Sequence, residues 1–133
     1  MRSSSKGRQV RQQLQDLVAK QREHLALLLA HLAEIEHRGL HETLGYPTML
    51  DFAIDHLHMD EEEAPERIEV ARTARAFPLL FDAIADGRLH LAAVRLMAPY
   101  LTEDNAGEMV AAMTHRPESE IEELLAEWFP EAG

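Results

Sequence analysis

The chain has 133 residues, enough for one domain with a buried core, and it contains no cysteine, which excludes disulfides and thiolate metal sites. Its net charge is −11. The polar, basic N-terminus excludes a normal secretory signal, and the longest apolar run, LALLLA at 25–30, is too short for a membrane span. These features predict a cytoplasmic protein with no membrane association.

The charge is unevenly distributed along the chain. Residues 1–22 contain six basic residues and one aspartate, a net charge of +5, whereas the remainder contains 7 basic and 23 acidic residues, a net charge of −16. A basic arm on an acidic body suggests an anionic partner for the arm, although a solvated terminus explains the same pattern. We expect residues 1–8 to form a flexible basic arm.

Residues 9–133 are predicted to form a single all-α domain. Alanine, leucine, glutamate, arginine, methionine and glutamine dominate, and no stretch alternates with the period of a strand. The fold class is therefore all-α, a compact bundle of about six to seven helices.

The first predicted helix is long, from about Arg8 to Glu36 or His37, and ends near Gly39. A helix lying across a bundle fits better than a coiled coil, because the heptads are not clean. Apolar residues recur along it at helical spacing: Leu14, Leu17, Val18, Leu25, Leu28, Leu29, Leu32 and Ile35.

The next two helices are short. Pro47 suits the first turn of one helix, and Asp60 with Glu63 has the spacing of a capping box for the other. Pro65 conflicts with a cap at Asp60, so that helix either begins nearer Ala64 or is bent.

Cap and breaker residues divide the C-terminal half into four more short helices. The predicted helices are Leu79 to Ala85, ended by Gly87; Leu91 to Ala98, opened by His90 and ended by Pro99; one from the N-cap Thr102; and one from Pro117 to Trp128.

No catalytic constellation or cofactor motif is recognisable. Glu34, His37 and His41 have a spacing that metals favour, but Gly39 interrupts the helix and no second cluster completes a site. Surface histidines on helices explain the pattern better, and we predict no metal, no cofactor and no enzymatic activity.

Arginines offer a more specific hypothesis. Arg72 and Arg75 share one face of a predicted helix, which with the helix before it resembles a helix-turn-helix. The alternative is that arginines pair with nearby glutamates, Arg67 with Glu63 and Arg72 with Glu69. Residue chemistry alone slightly favours the ion pairs.

Three stretches occur in a specific order: VARTARAFP at 70–78, ADGRLHLAAVRLMAPYLTEDN at 85–105 and EIEELLAEWFP at 120–130. Together, over about Leu27 to Pro130, they resemble the N-terminal helical domain of unknown function in bacterial HNH endonuclease-like proteins. The resemblance implies an all-helical, DNA-associated region whose catalytic HNH module is separate. No residue here matches that module, and ARTARAFP has one arginine fewer than the ARAARRFP form of the family.

Two functional hypotheses follow. The first is a non-catalytic module that binds double-stranded DNA through basic side chains. The second is a protein-interaction or homodimerisation module that uses an apolar seam on the long helix, Leu25 to Ile35. The candidate DNA contacts are Arg8, Arg11, Arg67, Arg72, Arg75, Arg88 and Arg95.

Overall fold

A computed structural model describes residues 2–132, with side-chain environments for residues 5–131. All regular structure in this part of the chain is helical, which confirms the all-α prediction. Short π and 3₁₀ turns supplement the helices at Phe52–His56, Ala98–Tyr100 and Pro130–Ala132. The α-helices are α1 (Arg2–Arg38), α2 (Leu40–Thr43), α3 (Met49–Asp51), α4 (Glu63–Ala76), α5 (Leu79–Ala85), α6 (Leu91–Met97), α7 (Ala106–Met113) and α8 (Glu118–Trp128).

The long helix begins earlier than predicted. It starts at Arg2 rather than Arg8 and therefore includes most of the stretch predicted as a flexible arm, apart from Met1, which lies outside the described residues. It ends as predicted at Gly39, whose φ of 66° places it in the left-handed region favoured by glycine. A short helix, α2, that the sequence analysis did not predict follows directly.

The C-terminal half of α1 anchors the core. Ala26, Leu29, Leu32 and Ala33 are buried, and this helix contacts both α4 and α5. One hydrophobic cluster extends from these residues through α4, α5, α6 and α7 to Leu125 in α8. Much of that cluster consists of alanine and methionine, which allow short helices to approach closely and fill irregular gaps.

The turn after α2 is held by aromatic packing. Thr48, not Pro47, caps α3, because its side chain accepts a hydrogen bond from the Asp51 backbone N–H at 3.0 Å. The π turn then places His56 in a stack against Phe52, with ring centroids 5.1 Å apart. Tyr46 contacts both rings and ties the preceding turn to this helix.

The conflict at Pro65 is resolved by where α4 begins. The helix starts at Glu63, so Pro65 is its third residue, where a missing N–H removes no bond within the helix. Asp60 still terminates the preceding turn: its carboxylate accepts from the Glu62 N–H at 2.7 Å, and its carbonyl accepts from Ala64.

Helix α4 occupies a central position. It contacts α1, α3, α5 and α6, and buried residues occur along its length. In a helix-turn-helix, the second helix must keep a face free for the major groove. The buried residues of α4 are Ala64, Ile68, Val70, Ala71 and Ala74.

In the C-terminal half, two predicted cap or breaker residues take their predicted positions and two do not. His90 Nδ1 accepts a hydrogen bond from the Ala93 N–H, and Gly87 adopts a φ of 82°. Thr102 and Asn105 form reciprocal hydrogen bonds in the turn before α7, so this helix begins at Ala106 with Asn105 at the N-cap position instead of the predicted Thr102. Pro117 precedes α8 as its cap instead of occupying the first turn.

We expect Leu29→Ala to lower the free energy of unfolding by about 2–5 kcal/mol, because it leaves a cavity between α1 and its neighbours. Leu27→Ala is the matched control on the same helix, since Leu27 is 57% exposed, and should cost less than about 0.5 kcal/mol. Urea unfolding monitored by circular dichroism measures both. Equal losses for the two variants would contradict the burial of this face.

Candidate interaction surfaces

Arg72 connects α4 to α1 through a bidentate ion pair. Its Nε and Nη2 donate to the two carboxylate oxygens of Glu36 at 2.7 and 2.6 Å. The same hydrogen bonds lower the pKa of Glu36 and raise that of Arg72. The predicted local partner, Glu69, was wrong, because the Arg72 side chain extends toward the neighbouring helix.

Two further candidate arginines on α4 are also paired. Arg67 donates to Glu63 at 2.8 Å, which confirms the predicted pair within the helix. Arg75 lies 3.4 Å from Glu34 of α1, and Arg38 binds the same carboxylate at 2.9 Å. The hydrogen bond from Arg38 lowers the pKa of Glu34. Arg72 and Arg75 therefore help to join α4 to α1, and Arg67 does not.

Arg95 and Arg88 also bind carboxylates, Arg95 on another helix and Arg88 in its own loop. Arg95 of α6 lies 3.0 Å from Glu69 and 3.5 Å from Glu66, both on α4. Arg88 donates through Nε to both carboxylate oxygens of Asp86 at 2.9 Å, and this hydrogen bond lowers the pKa of Asp86.

These ion pairs affect how the acidic body could bind DNA. A phosphate that approached Arg67, Arg72, Arg75 or Arg95 would meet a carboxylate that already lies at a terminal nitrogen of that guanidinium and repels the phosphate. Although exposed ion pairs are individually weak, the partner carboxylate stays beside the arginine after a phosphate displaces it. Arg72, Arg75 and Arg95 thus link neighbouring helices, whereas Arg67 and Arg88 bind carboxylates in their own helix or loop.

Arg8 and Arg11 differ from the other candidates. Both lie on the exposed N-terminal half of α1, and within the described residues neither has a carboxylate in ion-pair distance. Lys6 and Lys20 share this half of the helix. The exposed N-terminal half of α1 therefore carries positive charge that has no ion pair among the described residues.

The predicted histidine spacing does not produce a metal centre. His41 is buried, with its Nδ1 lacking a hydrogen-bond partner and its Nε2 3.6 Å from Glu42. Among residues 5–131, no group of three or more histidine or carboxylate side chains is close enough to hold a metal ion. None of the described helices is both long and apolar enough to cross a membrane.

The apolar seam of α1 lies further toward the N-terminus than predicted. Between Leu25 and Ile35 the seam is largely covered, since Leu29 and Leu32 are in the core. The uncovered part lies upstream, where Val10, Leu14 and Leu17 are 64%, 59% and 61% exposed. We call these three residues the α1 stripe.

The α1 stripe leads toward an apolar groove on the body. At 100° per residue, Leu28 and Leu32 lie on the same side of α1 as the stripe. They form one wall of the groove, with Ile35, and the other side comes from the loop after the π turn. The groove residues are Leu28, His31, Leu32, Ile35, Phe52, Leu57, Met59 and Arg67.

Some surface features have only a weak sequence signal. Leu14 and Leu17 belong to the recurring apolar series of α1, but periodicity alone could not show that later helices leave them uncovered. Arg22 and Arg116 line one cleft, but they lie far apart in the chain and no motif connects them.

Comparisons with models of protein families, with curated proteins and with solved structures found no match for this chain.

Glu36→Gln should reduce the free energy of unfolding at pH 7 by roughly 0.5–1 kcal/mol, a small value because Arg72 is 59% exposed in its side chain. Because folding lowers the pKa of Glu36, the stabilisation is present above the ordinary glutamate pKa of about 4.3 and is lost as the pH falls through the lower folded value. Denaturant titrations from neutral to acidic pH test this.

The control is Glu122→Gln, which removes an exposed carboxylate that has no ion pair among the described residues. Its effect should be near zero at neutral pH. The interpretation fails if the difference between wild type and Glu36→Gln grows, instead of shrinking, in acid.

Proposed function

We propose that this protein is a non-catalytic interaction module that self-associates through the N-terminal half of α1. The observation that carries the proposal is the α1 stripe, three large apolar side chains exposed on a helix that no described element covers. Residues 5–24 extend the helix by about 30 Å, with only Val18 half-buried among them.

Such a helix has little support of its own. Isolated helices of this length are marginal in water, and most helical stability comes from packing of an apolar face. Burying a leucine side chain contributes about 1.5–3 kcal/mol. Packing the stripe against a partner would therefore stabilise both the helix and the complex.

The charge distribution supports a second copy of the chain as the partner. The segment of residues 1–22 carries +5 and the remainder −16, so this chain presents both halves of a complementary pair. An antiparallel arrangement places the basic half of each α1 along the acidic body of the other copy. It also brings each α1 stripe toward the partner's apolar groove, which makes the interface isologous and closed.

Leu14→Asp should convert a dimer into a monomer. The new carboxylate would be buried without a partner at the centre of the α1 stripe. The dissociation constant of the dimer should therefore increase at least tenfold. Sedimentation equilibrium over a range of protein concentrations measures the change.

Ala19→Asp provides the matched control. It adds the same charge to the same exposed half of α1, but on the opposite side of the helix from the stripe. It should leave the dimer largely intact. A wild-type protein that is monomeric at high concentration would overturn the proposal directly.

A second candidate function, DNA binding, is favoured by the unpaired Arg8 and Arg11. The resemblance to HNH endonuclease-like proteins implies the same role. In this arrangement the exposed half of α1 would contact DNA phosphates. The paired arginines of the body would form ion pairs within the protein instead of contacting DNA.

Two double variants test the second candidate. Arg8→Gln with Arg11→Gln should weaken binding to a labelled duplex and reduce the salt slope by about 0.9 per lost contact. Arg72→Gln with Arg75→Gln should not change the slope if those side chains are occupied by α1 carboxylates. Fluorescence anisotropy over a salt series reports both, and absence of binding at low salt would reject DNA as the partner.

A further inference from the structure

A cleft with basic walls lies on the body where α1 meets two loops. The loop between α5 and α6 and the loop between α7 and α8 form its sides, and the Arg88 carbonyl accepts a hydrogen bond from the His115 N–H at 2.9 Å, which ties the loops together. Its volume of about 580 Å³ lies within the range of small-molecule sites.

The cleft concentrates positive side chains on an acidic protein. Arg22, Arg88 and Arg116 line it together with His90 and His115, and no aspartate or glutamate is among the described lining residues. Chance placement on a chain with 24 acidic and 13 basic residues favours the opposite composition.

Arg88 and Arg116 are each oriented by hydrogen bonds to groups that lie outside the lining. Asp86 binds Arg88 through its Nε, which leaves both terminal nitrogens of that guanidinium without a described partner. Arg116 donates through Nε to the Ala112 carbonyl at 2.7 Å and has only a 3.4 Å contact with Glu120. Fixed guanidinium groups of this kind match the geometry of oxyanions.

Arg22 supplies the uncompensated charge. Its guanidinium lies directly on the backbone of Gly87, where an added Cβ would be 2.7 Å from Nη1. No hydrogen bond or ion pair of Arg22 is found among the described residues. Glycine at this turn therefore permits both the positive φ of 82° and the close approach of the arginine.

His90 adds a directed donor. Because its Nδ1 accepts the Ala93 N–H, the neutral ring carries its proton on Nε2. The cleft is also lined by Leu25, Ile84, Leu89, Leu91 and Pro117, here called its apolar floor, of which Ile84 and Leu89 are buried. The combination of basic rim and apolar floor suits a ligand that has an anionic group on an apolar body.

We propose that this cleft binds an organic phosphate monoester, with the phosphate held by Arg22, Arg88 and Arg116 and the organic part resting on the apolar floor. This site is separate from the α1 stripe and does not depend on self-association.

Phenyl phosphate is the probe, followed by ¹H–¹⁵N NMR of the full chain. Gly87, Arg88 and His115 amides should shift on titration. Inorganic phosphate should bind more weakly because it lacks contact with the floor, and phenol should bind least because it lacks the charge. Equal affinity of phenyl phosphate and inorganic phosphate would overturn the role of the apolar floor.

Arg22→Ala should weaken phenyl phosphate binding about tenfold, since it removes one charge-assisted contact. Arg8→Ala is the matched control, another exposed and unpaired arginine on α1 that lies away from the cleft. The titration is repeated in Leu14→Asp, so that loss of self-association is not mistaken for loss of the site.

Three results would overturn the proposal. These are no saturable shift with phenyl phosphate, shifts confined to residues outside the cleft, and equal losses in Arg22→Ala and Arg8→Ala, which would indicate general charge attraction. If a short DNA duplex shifted the same amides while phenyl phosphate did not, the cleft would instead be a contact for a nucleic-acid backbone.

Discussion

Burial of one face of α1 between α4 and α5 is the contact on which the rest of the structure depends. The later helices are short, and none of them would be stable alone. The C-terminal half of α1 gives them a common surface on which Leu29 and Leu32 enter the core. Because a helix is rigid over this distance, the same contact also determines the direction in which the N-terminal half of α1 extends away from the body.

Ion pairs reinforce this arrangement between neighbouring helices. Glu34 and Glu36 of α1 form ion pairs with arginines of α4. Glutamates of α4 in turn form ion pairs with Arg95 of α6. Such pairs add little stability individually, but they orient the helices and exclude alternative pairings. They also account for most of the arginines that sequence inspection singled out as DNA contacts.

Among residues 5–131, positive charge without an ion pair lies in two places with different surroundings. On the N-terminal half of α1 it accompanies exposed leucines, a combination suited to an extended partner surface. In the cleft around Arg22 it surrounds a small apolar floor, a combination suited to a compact ligand. The positive charge near the N-terminus of the chain is thus divided between two surfaces, the exposed half of α1 and the cleft.

The sequence by itself determined the helical class, most helix ends and several caps, because these depend on local propensities and on backbone groups a few residues apart. Gly39, Gly87 and His90 took the predicted roles for that reason. Only the tertiary structure decided that Arg72 binds Glu36 instead of Glu69, that Leu14 stays exposed while Leu29 is buried, and that Arg22 and Arg116 line one cleft. Those outcomes depend on which helix faces pack together, and contacts between residues distant in the chain leave no periodic signal in the sequence.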